Sequence, residues 1–107
     1  MASHADFVNY VVEQLREAGE IRSRKMFGEY GLFCNGVFFG VICDDQFFVK
    51  ITPQGEAAFP DLPKAPSHEG ARDSFLLEDV EDREKITKLV RITCEALKNT
   101  PKKKRRK

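Results

Sequence analysis

Two adjacent residues, Asn35 and Gly36, place the strongest constraint on what this chain can fold into. They separate two apolar runs, residues 30–34 and residues 37–43. Both residue types tolerate a positive φ, and an Asn-Gly pair between apolar runs is the strongest short-range signal for a β-hairpin with a type I′ turn. An antiparallel pair of strands is therefore predicted near the middle of the 107-residue sequence.

A meander of three or four strands is predicted around this hairpin. Asp44-Asp45 provides a second turn signal, and side chains in the strand after it alternate between the two faces of the sheet. The residues predicted to face the core are Phe47, Val49 and Ile51. The same alternation places Phe48 and Lys50 on the opposite face.

The segment before the hairpin, residues 21–27, reads as a polar strand. Its charges make it a candidate edge strand, because charge discourages pairing with the edges of other sheets. These charges are Arg22, Arg24 and Lys25. Gly28 and Gly31 then separate this strand from the hairpin, as a bulge or a tight turn does.

Three helices are predicted from apolar spacing and capping signals. The first covers about residues 4–18, and the second is a short helix that begins at Thr52-Pro53. A strand over residues 74–78 leads into the third helix. The apolar stripe of that helix is Ile86, Leu89, Val90, Thr93 and Leu97. The prolines within residues 60–73 predict an irregular loop between the second helix and the last strand.

These elements predict an α+β fold of two layers. An antiparallel sheet of four to five strands is packed by helices, in the chain order α-β-β-β-α-β-α. One domain should cover residues 1–100. The segment 101–107 is predicted to be a disordered basic tail, because its six consecutive charges cannot pack into a core.

The net charge of +1 hides an asymmetry between this tail and the rest of the chain. Six of the 18 basic residues lie in the tail: Lys102, Lys103, Lys104, Arg105, Arg106 and Lys107. The remainder holds 12 basic and 17 acidic residues, which gives it a net charge of −5. Attraction to DNA or RNA should therefore reside in the tail, with help from Arg22, Arg24 and Lys25.

The sequence contains no set of residues typical of catalysis. His4 and His68 are isolated, and there is no phosphate-binding glycine motif. The cysteines have no metal-binding or redox spacing and are predicted to be reduced packing groups: Cys34, Cys43 and Cys94. We therefore expect no enzyme, no metal and no cofactor. A sheet face that stacks bases on Phe48 beside Lys50 is an alternative use of the aromatic residues.

Neither a membrane span nor a signal peptide is indicated. The sequence has no run of about 18 apolar residues, and residues 1–6 have neither a basic nor an apolar signal region. The sequence therefore predicts a cytoplasmic protein that does not enter the membrane.

One stretch of the sequence carries a family motif. It contains R-K-M-F-G-E-Y-G-L-F at residues 24–33, Asn35-Gly36, F-G-V-I at residues 39–42 and F-F-V-K at residues 47–50. This pattern resembles the N-terminal domain of the TfoX/Sxy proteins, over about residues 5–97. The motif residues are Met26, Phe27, Gly28, Gly31 and Gly36.

The resemblance implies a two-layer α+β fold in a bacterial protein related to regulators of natural competence. Those regulators act with a transcription activator at promoters, and no enzymatic activity is attributed to the domain. This chain lacks the additional helical C-terminal domain of full-length members, and its basic tail is not part of the pattern. The resemblance therefore implies a stand-alone regulatory or protein-interaction module with a protein partner. The alternative is a nucleic-acid-associated accessory protein that binds phosphates through its tail.

Overall fold

The computed structural model describes residues 5–26, 29–67 and 70–99. Its α-helices are α1 (Ala5–Gln14), α2 (Pro53–Ala58) and α3 (Arg83–Asn99). Its strands are β1 (Ile21–Met26), β2 (Glu29–Cys34), β3 (Val37–Cys43), β4 (Gln46–Val49), β5 (Lys64–Pro66) and β6 (Asp73–Leu77). A short 3-10 turn, Arg16–Ala18, follows α1.

These strands form one antiparallel sheet with the spatial order β1-β2-β3-β4-β6-β5. The helices pack on one face of it. The sheet contributes Leu32, Phe39, Ile42, Phe47, Val49, Phe75 and Leu77 to the buried core. The helices contribute Val8, Val11, Ile86, Leu89 and Val90. The predicted α+β fold with helices on an antiparallel sheet is therefore confirmed.

Both predicted turns of the meander are present. Asn35 and Gly36 have φ values of 52° and 85°, and Asp44 and Asp45 have φ values of 55° and 58°. A type I′ turn requires a positive φ at both of its central residues, which Asn, Asp and Gly adopt most readily. The polar strand β1 lies at one edge of the sheet, as its charges predict.

The sheet has more strands than the sequence predicts. The segment predicted to be an irregular loop contains β5, so the sheet has six strands among the described residues. Its prolines are compatible with a strand because β5 lies at the second edge of the sheet, where one side of the backbone needs no partner. The Pro63 carbonyl still accepts a hydrogen bond of 2.9 Å from the Leu76 N–H.

The first helix is shorter than predicted. It ends as an α-helix at Gln14 and tightens into the 3-10 turn. The change is visible at Leu15, whose N–H lies 3.1 Å from the carbonyl oxygens of both Val11 and Val12. Such shared bonds mark helix ends, where the last turn tightens.

The second helix begins as its sequence predicts. Thr52 is the N-cap residue, and its Oγ1 accepts a buried hydrogen bond of 2.9 Å from the Gly55 N–H. Pro53 occupies the first helical turn, where its missing N–H costs nothing. This cap fixes the direction in which the chain leaves the sheet.

Replacing Thr52 by alanine should lower the free energy of unfolding by about 1–2 kcal/mol, because the Gly55 N–H loses its buried acceptor. Thr52→Ser keeps the hydroxyl and should retain most of the stability. Urea denaturation followed by circular dichroism measures both variants. Equal stability of the alanine and serine variants would show that the cap contributes nothing.

Candidate functional site

The sheet has a second face that the helices do not cover. Helices α1 and α3 fill the core on the first face, and α2 packs against α3. Alternate side chains of the strands therefore point the other way. The registers Phe33↔Phe38, Val41↔Phe48 and Phe48↔Leu76 place these residues together on that side. We call this surface, formed by Phe33, Phe38, Val41, Phe48 and Leu76 with the residues aligned to them, the open face.

The structure does not support the alternative in which Phe48 is an exposed base-stacking residue. Alternation does turn Phe48 away from the helices, but its side chain is only 2% exposed. Strand β4 lies in the interior of the sheet, so Phe48 is flanked by Val41 on one side and Leu76 on the other. A ring covered by cross-strand neighbours cannot receive a base.

The structure divides the predicted basic cluster between the two faces. Arg22 and Arg24 are in register with open-face positions of β2, whereas Lys25 is in register with Tyr30, which packs against the core. All three cationic side chains are exposed. Arg22 also forms an ion pair with Glu20, with an Nη2–Oε2 distance of 2.7 Å. Two of the three predicted cations therefore lie on the open face.

A groove of about 680 Å³ lies on the open face beside the segment that joins β5 to β6. Its lining residues are Glu29, Phe38, Gly40, Val41, Lys50, Ile51, Ser67, Ala71, Arg72, Asp73 and Ser74. The volume is within the range of about 300–1,000 Å³ that is common for ligand pockets. Apolar side chains meet a few charged groups here, which is the usual composition of a binding site.

Lys50 is the cation best placed in this groove. Its Nζ lies 4.4 Å from the centroid of the Phe38 ring, a cation–π distance. The Phe38 ring in turn lies 5.3 Å from that of Phe33, at an interplanar angle of 40°. Partial burial lowers the pKa of Lys50, because withdrawal from water disfavours the charged ammonium. The residue that follows β4 is therefore an exposed cation beside an aromatic ring.

Sequence reasoning missed the wall of this groove. Arg72, Asp73 and Ser74 belong to the segment predicted as an irregular loop and to the start of β6. Nothing in their local pattern shows that pairing of β5 with β6 carries them toward Lys50. The one sequence feature that indicated this site was Lys50, a cation at the end of an aromatic strand.

The three cysteines are free thiols. Cys34 is buried, and its Sγ lies 3.7 Å from the Ala18 carbonyl oxygen, to which the thiol donates. Burial, together with contact with Cys34, raises the pKa of Cys94. Burial, followed by the nearby Glu29 and Asp44 carboxylates, raises the pKa of Cys43. A thiol with a raised pKa stays protonated at neutral pH and is a poor nucleophile. This environment therefore favours a packing role for the cysteines over a reactive one.

Stability should fall as the pH rises above about 9. The ordinary thiol pKa is 9.0, and in the folded chain the pKa values of Cys43 and Cys94 are raised above it. The unfolded chain therefore releases these protons first, and stability that is complete below pH 9 is lost above it. Cys94→Ala should reduce the loss between pH 8.5 and pH 10 in denaturation experiments. An unchanged pH slope would contradict this origin.

Other classes of site receive no support from the described residues. Within residues 5–26, 29–67 and 70–99, no group of three or more His, Cys, Asp or Glu side chains is arranged to hold a metal ion. In the same residues, no helix has the length and apolar character needed to cross a membrane. Several predictions fall on residues that are not described: His4, Phe27, Gly28, His68, residues 101–107 and the side chain of Met26.

Comparison with known proteins identifies the family. Residues 13–97 match the TfoX N-terminal domain. The chain belongs to the TfoX N-terminal domain family. A relative from Spirochaeta aurantia, described as an uncharacterized 12.7 kDa protein in the trpE 5′ region, is 32% identical over 98 residues. The aligned region covers 91% of this chain and 85% of that relative.

Family membership confirms the resemblance carried by the meander. Two of the motif glycines have clear positions in this TfoX N-terminal domain: Gly36 lies in the turn between β2 and β3, and Gly31 is buried within β2. The matched residues include the whole sheet and most of α3. The groove and the open face therefore belong to the family domain itself.

Proposed function

We propose that this TfoX N-terminal domain is a non-catalytic, cytoplasmic regulatory module that acts by binding another protein. Its role is in transcription regulation linked to DNA transformation competence, and the open face of its sheet is the binding surface. In this proposal residues 1–100 are the regulatory domain, and the basic residues 101–107 follow it.

One observation carries this proposal. The open face presents Phe33, Phe38 and Val41, all partly exposed, next to the exposed cations Arg24 and Lys50. Protein interfaces combine aromatic side chains at the centre with cations and a polar rim. Family membership supports the regulatory role, because the related regulators act together with a transcription activator.

The test uses two matched variants. Val41 on the open face and Ile92 on the helical layer are both partly buried β-branched residues. Val41→Asp should weaken partner binding about tenfold or more, because it places a charge in an apolar contact. Ile92→Asp should bind as the unmodified chain does. Circular dichroism checks that both variants remain folded.

The partner is first captured with the unmodified chain and identified by mass spectrometry. Both proteins are then purified, and the affinity is measured by calorimetry for all three chains. A transcription regulator whose binding depends on Val41 supports the proposal. Equal loss in the two aspartate variants, or reproducible turnover of a substrate by the purified chain, would overturn it.

The second candidate function is association with DNA or RNA through the tail. The six consecutive basic residues of 102–107 support it, and the exposed Arg22 and Arg24 on the open face are two further cations. Contact of six cations with phosphates should give log Kd a slope against log salt concentration of about 4 for a single strand and about 5.4 for B-DNA. Lys25, which lies on the other face, should contribute little to a contact made through the open face.

Fluorescence anisotropy with labelled DNA and RNA tests this candidate, using the full chain and a chain that ends at Pro101. Binding with a steep salt dependence that disappears on truncation would assign nucleic-acid contact to the tail. Unchanged affinity after truncation would contradict the tail assignment. Absence of binding by both chains would leave protein interaction as the proposed function.

A further inference from the structure

We propose that the groove on the open face binds a small organic monocarboxylate. The carboxylate is bound by Lys50, with Arg72 at the rim, and the apolar part of the ligand lies against Phe38 and Val41. This site would give the domain a ligand-binding activity beyond protein interaction. It requires no partner protein, so its test is independent of the proposed regulatory contact.

Lys50 lacks a counter-ion in the described part of the chain. Its ammonium lies over the Phe38 ring at 4.4 Å and makes neither an ion pair nor a hydrogen bond with any described residue. The Lys50 side chain is exposed, so a ligand in the groove can reach its ammonium. A ligand carboxylate would pair with this ammonium, and charge-assisted hydrogen bonds are stronger than neutral ones. The cation–π contact places the ammonium beside the ring against which the apolar part of the ligand would lie.

Arg72, the second cation of the groove, also lacks a counter-ion among the described residues. Arg72 is exposed, lines the groove, and forms no ion pair or hydrogen bond within the described residues. A guanidinium presents a planar set of donors that matches the geometry of a carboxylate. Arg72 therefore provides a second cationic contact in addition to that of Lys50.

Two carboxylates restrict the charge of the ligand. Glu29 and Asp73 line the same groove, so a ligand with several negative charges would meet repulsion as well as attraction. A phosphate dianion, a nucleic-acid strand or a polyacidic peptide is disfavoured for this reason. A single carboxylate is attracted by Lys50 and Arg72 and adds only one charge.

The apolar lining defines the rest of the ligand. Phe38, Val41 and Ile51 contribute apolar surface beside the cation, and burial of apolar ligand area against them favours binding. The Ser74 hydroxyl is an additional polar contact in the lining. An aromatic or branched aliphatic acid of about ten non-hydrogen atoms would use both the cation and the apolar surface.

Titration with 3-phenylpropionate, followed by ¹H–¹⁵N correlation spectra, tests this proposal. The expected result is saturable shifts at groove residues such as Val41, Ser74 and Ala71. The neutral analogue 3-phenylpropionamide should bind about tenfold more weakly or worse, because it lacks the charge that Lys50 recognises. Inorganic phosphate, as a dianion without an apolar part, should bind more weakly than 3-phenylpropionate.

Two methionine variants provide a matched comparison. Lys50→Met keeps an unbranched apolar side chain but removes the charge, and it should weaken 3-phenylpropionate about tenfold or more. Lys88 also lies over an aromatic ring, with its Nζ 5.9 Å from the centroid of Phe59, but on the helical layer. Lys88→Met should therefore bind 3-phenylpropionate as the unmodified chain does.

Four outcomes would overturn the carboxylate site. These are equal binding of the amide and the acid, unchanged affinity in Lys50→Met, tighter binding of phosphate, and shifts confined to residues outside the groove. Because none of these measurements includes a partner protein, each would leave the proposed protein interaction unaffected. Failure of Val41→Asp to weaken partner binding would equally leave the proposed carboxylate site standing, since that measurement reports on the partner contact and includes no carboxylate ligand.

Discussion

Gly40→Ala is expected to lower the free energy of unfolding by roughly 3 kcal/mol, one of the largest effects of any single substitution in this chain. A Cβ atom at position 40 would lie 2.2 Å from the Phe48 carbonyl oxygen and 3.3 Å from the Val49 Cα. These are backbone atoms of the paired strand β4, so no side chain can rotate away. Strands β3 and β4 would have to separate where they pair at Gly40↔Val49.

The control for this prediction is Gly36→Ala. Gly36 has a φ of 85°, which an alanine adopts only with strain, but nothing lies within 4 Å of its added Cβ. That variant should lose only about 1–2 kcal/mol. Urea denaturation of both variants separates the cost of backbone strain at position 36 from the cost of the steric clash at position 40. A loss in Gly40→Ala no larger than that in Gly36→Ala would contradict the close approach of the two strands.

Phe47→Ala should destabilise the domain by about 3–5 kcal/mol. Phe47 is 0% exposed and lies in the core between its cross-strand partners Ile42 and Leu77. Its removal leaves a cavity that a close-packed sheet and helix layer cannot fill by relaxation. Since domains of this size have total stabilities of about 5–15 kcal/mol, this variant is expected to be close to unfolding.

Two further variants keep the Phe47 measurement interpretable. Phe47→Leu fills most of the volume and should lose less than half as much stability, so it reports on the site even if the alanine variant does not fold. Phe33→Ala removes an aromatic ring from the open face, where the side chain is only partly buried. Its loss should be near 1 kcal/mol. Equal losses in Phe33→Ala and Phe47→Ala would contradict the assignment of the core to the helical face.

Much of the meander could be predicted because its signals are local. Asn35-Gly36 and Asp44-Asp45 specify turns through backbone conformations that few other residues adopt, and the structure has positive φ at all four. The charges of β1 likewise indicated an edge strand from composition alone. Such features depend only on residues close together in sequence, so they can be predicted without knowledge of the fold.

The strand β5 and the burial of Phe48 could not be predicted in this way. Prolines in residues 60–73 argue against regular structure, and only the position of β5 at the sheet edge makes them acceptable. Alternation correctly turned Phe48 away from the helices. Its exposure, however, depends on Val41 and Leu76, which lie on different strands. Pairing between segments distant in sequence decides both features.

By itself, the sequence determined the hairpin turns, the capped helix at Thr52, the apolar stripe of α3 and the resemblance to the TfoX N-terminal domain. The tertiary structure alone decided which cations share a face and where the groove lies. It separated Lys25 from Arg22 and Arg24, and it brought Arg72 into the lining of the groove that contains Lys50. The physical reason is that turns and caps follow from local backbone preferences, whereas a binding surface depends on strand register and on strand order across the sheet.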